Sequence, residues 1–342
     1  MSAYIPFLLT ISDSSTPQFF LFIFCKEVSI ALIKYVFKKF LSMFASLFVL
    51  ASATFFLMKI IPGDPFVREK AIPEKIREHL LAMYGLDQPV WKQYLMYLNN
   101  LLHGDLGMSM KQQYMSVSRI IKESFIYSAQ IGLFAVILSV AAGLILGIIA
   151  ALNHRKWLDS ATIIIAVLGV SIPNFLAASI LQYVFGSKLQ WLSVSGLNDP
   201  TDFIMPVLAL SFLPAAFIAR LTRSTMLEVL SADYIKTARA KGLNGRIILV
   251  RHALRNAILP VVTYIGPMTA NIITGSVVVE QIFGIGGIGK YFVQSISNRD
   301  YTLIMGLTLF YGIILMAARF LTDVAYGFVD PRIKLTRGGG KG

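Results

Sequence analysis

Apolar and polar residues alternate along this chain in blocks tens of residues long. Six apolar blocks stand out, at about residues 40–61, 126–152, 161–185, 203–219, 259–279 and 303–326. A helix needs ~20 apolar residues to cross ~30 Å of hydrocarbon, so the pattern predicts six transmembrane helices. The fourth block is the shortest and holds Pro206 and Pro214, which predicts a kink. A long polar segment, residues 62–124, separates the first two blocks. Within it, residues 74–81 and 90–102 repeat apolar positions at helical spacing and predict two short amphipathic helices. Residues 1–33 hold two apolar patches, 4–11 and 19–33, the second interrupted by Lys26 and Glu27. Each patch is short for a span, and no basic region precedes them as it would in a cleavable signal peptide. An interfacial segment, an extension beyond the functional core and a seventh span are open readings for this stretch.

Composition agrees with the pattern. Hydrophobic residues make up 56% of the 342 residues and charged residues 14%, with a mean hydropathy of +0.68. A soluble domain carries about a quarter charged residues, so this is an integral membrane protein. The net charge of +13 raises the question of nucleic acid. The cations sit in particular inter-span loops, however, which fits membrane topology and not a nucleic-acid surface. Lys34, Lys38 and Lys39 precede the first block, and His154, Arg155 and Lys156 follow the second. Eight Lys or Arg follow the fourth, and Arg332, Lys334, Arg337 and Lys341 lie in the tail. The loops after blocks three and five hold only Lys188, and Lys290 with Arg299. Basic loops stay in the cytoplasm, so the start of block one, the loop after block four and the C-terminus face inward, and residues 62–124 lie outside.

The loop after block four is a basic, polar island between two strongly apolar blocks. Residues 228–260 carry Lys236, Arg239, Lys241, Arg246, Arg251 and Arg255 against Glu228 and Asp233. Leu227, Leu230, Tyr234, Ile235 and Ala238 recur at helical spacing and predict one amphipathic helix, which Gly242 can end in a left-handed conformation. Ile247, Val250, Leu254 and Ile258 then predict a second helical stripe up to Pro260. Two short helices hinged at a glycine at a membrane face suit the docking of another protein. A solvated loop that sets topology by its charge is the other reading that spacing leaves open.

Catalytic chemistry is hard to find. Cys25 is the only cysteine and the four histidines are scattered, so neither a disulfide nor a metal site is expected. Residues 284–290, Gly-Ile-Gly-Gly-Ile-Gly-Lys, fit a phosphate-loop pattern, but Tyr291 stands where a Ser or Thr must reach Mg²⁺, and the loop lies on the side away from ATP. A tight glycine turn between blocks five and six is the plainer reading. Among ionisable residues, Arg319 and Asp323 are one helical turn apart and can pair, Lys59 is expected to snorkel at the outer end of block one, and Glu280 closes block five. Asn174, Gln182 and Asn271 are polar residues inside blocks. They are candidates for lining a pathway or for hydrogen bonds between helices. Asn174 follows Pro173, which frees a backbone carbonyl and can widen a helix. No run of buried carboxylates and no paired broken helices point to a proton-coupled carrier.

At the cytoplasmic loop the sequence reaches a specific likeness. ADYIKTARAKGL followed by RHALRNAILP resembles the cytoplasmic signature of permease subunits in the dipeptide/oligopeptide (and nickel) branch of binding-protein-dependent ABC importers. FFLMKIIPGDPF, YGLDQPVWKQYLMYLNNLLHGDLGMS, VVVEQIFGIGGIGKYFVQSISNRDY and DVAYGFVDPRI are similar to other stretches of that family, and together the likeness covers about residues 34–335. The resemblance implies an all-α integral membrane protein. It implies six transmembrane helices of the type I ABC importer permease fold, with an extracytoplasmic helical segment after the first span. The expected parts are an extension (1–33), a first span with its outer segment (34–125), a five-helix permease core (126–335) with a coupling loop at 220–258, and a tail (336–342). The extension has no counterpart in the family, so it is expected to be dispensable or to precede the true start, which intact mass would test.

Such a subunit pairs with a second, homologous permease in the lipid bilayer of a bacterial or archaeal plasma membrane. Two cytoplasmic ATPases bind ATP and Mg, none of it in this chain, and an extracytoplasmic solute-binding protein delivers the cargo. The chain itself is expected not to be an enzyme. By the resemblance, Thr237, Ala238, Arg239, Ala240, Lys241, Gly242 and Leu243 enter a groove on the ATPase, with Ala238 and Ala240 small enough for close approach and Gly242 making the turn. The wider family's Glu-Ala-Ala is here Thr-Ala-Arg or Ala-Arg-Ala, and the outer loop reads Gly-Ile-Gly-Gly where a Pro-Gly-x-Gly turn is usual. Peptides are the expected cargo and nickel or another small solute the alternative. A stand-alone carrier or channel and a non-transporting membrane scaffold are the rivals from other classes.

Overall fold

The computed structural model describes residues 16–60, 66, 73–112, 115–275 and 277–329. Among these the regular structure is helical, apart from one isolated bridge pairing Met108 with Ser116, with loops between the helices. The chain divides into two compact units, one of residues 1–46 and 323–342, the other of residues 47–322. Of the first unit, the described residues are helical: they belong to α1 (Thr16–Ile60) and to the last turns of α14 (Tyr301–Val329). The expected partnership of Arg319 with Asp323 involves a side chain outside the described residues, as do the tail from 330, the stretch 61–65 and residues 1–15.

The second unit carries the permease core. Among the described residues five helices are long and apolar enough to cross a membrane, and a bent pair makes a sixth when it is taken as one broken span. The second span, α4 (Val117–Leu152), and the fourth, α7 (Ile204–Ser231), extend well past the apolar blocks that announced them. The block marks the part in hydrocarbon, and the helix continues beyond it. The third span corrects the sequence expectation of one continuous helix. α5 (Trp157–Ser171) and α6 (Asn174–Leu181, prolonged by a π-helical turn to Lys188) are bent by 101°. Ile172, just before Pro173, is extended with ψ 115°, because a residue preceding proline is pushed out of the helical region.

α7 is the central helix. It packs against α4, α5, α6 and α11 (Leu259–Gly275), with Ile131, Met205, Leu210, Ile218 and Met268 in the shared core. The tight α4–α7 seam depends on Gly143 and Gly147, a small-xxx-small pair. A Cβ on Gly147 would lie 2.6 Å from the Ala219 carbonyl oxygen, and one on Gly143 2.6 Å from Ile218 Cβ.

Outside, α2 (Glu74–Met83) and α3 (Val90–Leu102) form where the spacing predicted them. α3 is tied to the end of α1 by Phe55, whose ring lies 5.3 Å from that of Tyr94 and 5.6 Å from that of Tyr97. Lys59 does not snorkel as expected. It folds back over the Phe55 ring at 5.6 Å and donates to Gln93 Oε1. Asp300, buried at the start of α14, holds the loop after α3 by accepting from Ser109 Oγ and from the Met110 N–H at 3.1 Å.

Candidate functional site

α7 runs on past its membrane segment and stops at Ser231, because Ala232 is extended with ψ 148°. The single amphipathic helix expected around residues 227–241 is therefore two: the end of α7, then α8 (Asp233–Ala240). Gly242 ends α8 in the left-handed region at φ +76°. Its N–H donates to the Arg239 carbonyl at 2.9 Å, and the Leu243 N–H to the Ala238 carbonyl at 3.3 Å, which together form a Schellman ending. Asn244 then caps the next helix, its side chain accepting from the Arg246 N–H at 2.9 Å. α9 (Gly245–Ile247), a π-helical turn (Ile248–Leu254) and α10 (Arg255–Ala257) lead into α11.

The second stripe needs a correction. Ile247 and Val250 are exposed, and the buried positions are Ile248, Ala253 and Ala257. The π turn hydrogen-bonds from i to i+5, so it places residues five apart on one face and rotates the stripe predicted at ordinary helical spacing. These residues join Ala151, Met226, Ile235 and Ala238 in a small cluster of their own. Thr225 Oγ1 donates to the Ala257 carbonyl at 3.0 Å, and Asn256 Nδ2 to Tyr234 Oη at 3.0 Å. α8 is thus seated on the ends of α7 and the segment that becomes α11.

The seven residues singled out from sequence separate into two groups. Thr237 and the run Arg239, Ala240, Lys241, Gly242 and Leu243 are exposed around the end of α8. Ala238 is 7% exposed and faces this chain's own cluster, so its small size serves internal packing. Leu243 is 39% exposed, an apolar side chain at the tip of a basic turn. Asp159 at the start of α5 is buried and accepts from Arg223 Nε at 2.5 Å and Nη2 at 2.9 Å, and from the Arg155 N–H at 3.0 Å. His154 Nδ1 lies 3.2 Å from it. This junction between α5 and α7 was missed from sequence. The available signal was an acidic residue in the first turn of an otherwise apolar span.

No hydrogen bond among the described residues joins the pathway candidates to one another. Gln182 is a tie between elements: its amide donates to the Val194 carbonyl at 2.9 Å and the Ile282 carbonyl at 2.7 Å. Asn271 is exposed on α11. Asn174 opens α6 just after the bend, and its Oδ1 is buried without a hydrogen-bond partner among the described residues.

The glycine run near residue 284 is a turn between α12 (Val277–Ile282) and α13 (Ile288–Asn298), an extra helix before the last span. Glu280 is 2% exposed and accepts from Ser128 Oγ at 2.7 Å and from the Gly289 N–H at 2.8 Å, while the Ile288 N–H donates to Ser128 Oγ at 3.0 Å. A Cβ on Gly287 would lie 2.4 Å from Glu280 Oε2. A phosphate loop needs its backbone N–H groups for phosphate. Here one of them is spent on an internal carboxylate.

A bundle of up to six apolar spans, with a short helix packed on the end of its central one, is the architecture of a type I ABC importer permease. A chain of an amino acid ABC transporter, solved with histidines, shares the fold with a TM-score of 0.51 at 16% identity, over 62% of this chain and 94% of that one. Residues 143–335 match the family described as binding-protein-dependent transport system inner membrane component, and residues 32–130 match its N-terminal counterpart. The chain belongs to this family, a permease family and not an enzyme family. It is 47% identical to the dipeptide transport system permease protein of Bacillus subtilis (strain 168), over 90% of this chain and 99% of that one. It is 41% identical to the oligopeptide transport system permease protein of Escherichia coli (strain K12), over 89% of this chain and 100% of that one.

Proposed function

We propose that this chain is the permease subunit of a peptide ABC importer in a bacterial plasma membrane. It forms half of the translocation pathway beside a second, homologous permease. An extracytoplasmic binding protein delivers di- or oligopeptides, and two cytoplasmic ATPases supply ATP and Mg. The observation that carries the reading is the end of α8: six exposed residues, Thr237 and the run Arg239 to Leu243, on a helix seated in a buried cluster shared with α7 and α10. A docked ATPase pushing on that surface moves α7 and α11 with it, which is the mechanical requirement for switching access across the membrane.

The supporting kinship is with relatives named for dipeptide and oligopeptide transport, which favours peptides over nickel as cargo. The test is uptake of a labelled dipeptide by the assembled importer carrying Gly242→Pro or Ala240→Glu. Proline cannot adopt φ +76° and removes the N–H that bonds to Arg239, and a Cβ at this position meets nothing within 4 Å, so the damage is confined to the turn. ATP-driven uptake is expected to fall roughly tenfold or more with membrane insertion unchanged, the scale of a disrupted positioning contact. Undiminished uptake by both variants refutes the coupling role.

A further inference from the structure

On the outer face, a cavity of about 250 Å³ lies between the end of α1, α2, α3, the loop after α3 and the start of α14. Its wall holds Met58, Met83, Met96, Met108, Met110 and Met305, nearly half of the chain's 13 methionines. Thioether side chains are flexible and polarisable, and suit apolar ligands of varied shape. Lys59 lines the same cavity. Its ammonium donates to Gln93 Oε1, and Gln93 is locked in that orientation by donating to the Leu86 carbonyl at 3.2 Å and the Gln88 carbonyl at 2.6 Å. Among the described residues no carboxylate lies within ion-pairing distance of Lys59, so two of its three N–H groups have no hydrogen-bonding partner. A half-buried ammonium with two N–H groups to spare, facing an apolar cavity, can donate charge-assisted hydrogen bonds to a ligand's anionic group. Asp105 also lines the cavity, with one oxygen accepting from the Gly107 N–H at 2.8 Å. A cation and an anion in one apolar cavity match a small zwitterion with an apolar body.

We propose that this cavity is a peptide-binding site on the permease itself: Lys59 holds the free carboxylate of a short peptide and the methionine wall takes its side chains. The proposal rests on the reading of peptides as cargo and adds a second station outside the membrane, separate from the binding protein.

The test is equilibrium binding of radiolabelled leucyl-leucine to the full-length chain in phosphatidylcholine nanodiscs, with no binding protein present. Saturable binding is expected. It should weaken roughly tenfold or more for leucyl-leucine amide and for Lys59→Met, and by less than about threefold for Lys59→Arg, which keeps the charge. The amide arm does not depend on any variant folding. No saturable binding at millimolar peptide, or equal binding by the amide and by Lys59→Met, overturns the site. Loss of peptide binding when phosphatidylethanolamine replaces part of the phosphatidylcholine also overturns it, in favour of a lipid headgroup. Dipeptide uptake by the assembled importer reports on cargo independently, so uptake without binding here sinks the cavity and leaves the peptide reading standing.

Discussion

Removing Arg223 tests whether α5 and α7 move as one piece. Asp159 is 3% exposed and spends its two oxygens on the Arg223 guanidinium, the Arg155 N–H and His154. Arg223→Met leaves a buried carboxylate with only the last two. Breaking a buried pair by deleting one partner typically costs about 3–5 kcal/mol. Here the Arg223 side chain is 22% exposed and two donors stay with Asp159, so water and those donors offset part of the loss. The expected cost is about 2–3 kcal/mol. Asp159→Leu should cost a similar amount by stranding the guanidinium. The double variant Asp159→Leu with Arg223→Met replaces the pair by apolar groups and should return to within about 1 kcal/mol of the parent. Urea unfolding in mixed micelles, followed by circular dichroism, measures all four proteins. Two single variants that each unfold within about 0.5 kcal/mol of the parent, with no coupling in the cycle, would show that the geometry carries no energy and that α5 and α7 are held by apolar packing alone.

Three further outcomes follow from the same geometry. Glu280→Ala strands the Ser128 hydroxyl and the Gly289 N–H in a buried site, which should lower stability by about 1–3 kcal/mol in the same unfolding assay, with Ser128→Ala costing less. Gly147→Leu overfills the α4–α7 seam, where even a Cβ would lie 2.6 Å from the Ala219 carbonyl oxygen, and should cost about 1–3 kcal/mol or more, with Gly147→Ala intermediate; a neutral Leu variant would mean the seam can open. Burial, with Tyr94 beside it, pushes the Tyr97 phenol up to about 12. Above pH 10 the unfolded chain releases this proton while the folded chain keeps it, so stability present below pH 10 is lost as pH rises toward 12, and ultraviolet titration should show a late-forming tyrosinate that Tyr97→Phe removes.

Some of this architecture was legible in the sequence because its causes are local. Apolar block length announced the spans, helical spacing announced α2 and α3, and Gly242 announced a left-handed turn. What escaped depends on partners far along the chain. The 101° break at Pro173 required knowing that α6 packs against α7 and α12 and not straight ahead. The π turn at Ile248–Leu254 moved the buried face because Ile248, Ala253 and Ala257 meet Met226 and Ile235, and no periodicity within the loop records that meeting. Glu280 read as the end of a span, yet its role is set by Ser128, 152 residues earlier. Lys59 read as a snorkelling end charge until Gln93 and Phe55 claimed it.

The proposed docking surface is joined to the membrane spans through these parts. A coupling element has to be stiff, or an applied push is absorbed locally. α8 is only eight residues long and marginal alone, since isolated helices that short do not hold in water. Its rigidity comes from Ile235 and Ala238, which insert into a cluster with Met226 of α7 and Ala253 and Ala257 on the approach to α11. The Thr225 bond to the Ala257 carbonyl fastens those two segments directly, and the Asp159–Arg223 pair extends the joint to α5. A displacement applied at Leu243 or Lys241 therefore reaches three span ends through packed side chains and directed hydrogen bonds. On the outer side the glycine turn before α13 is held to α4 by Glu280 and Ser128. α4 packs along α7, so it links the inner joint to the outer turn through the Gly143–Gly147 seam. Loosening that seam should weaken the response of the outer turn to a push on α8, even when both ends remain folded.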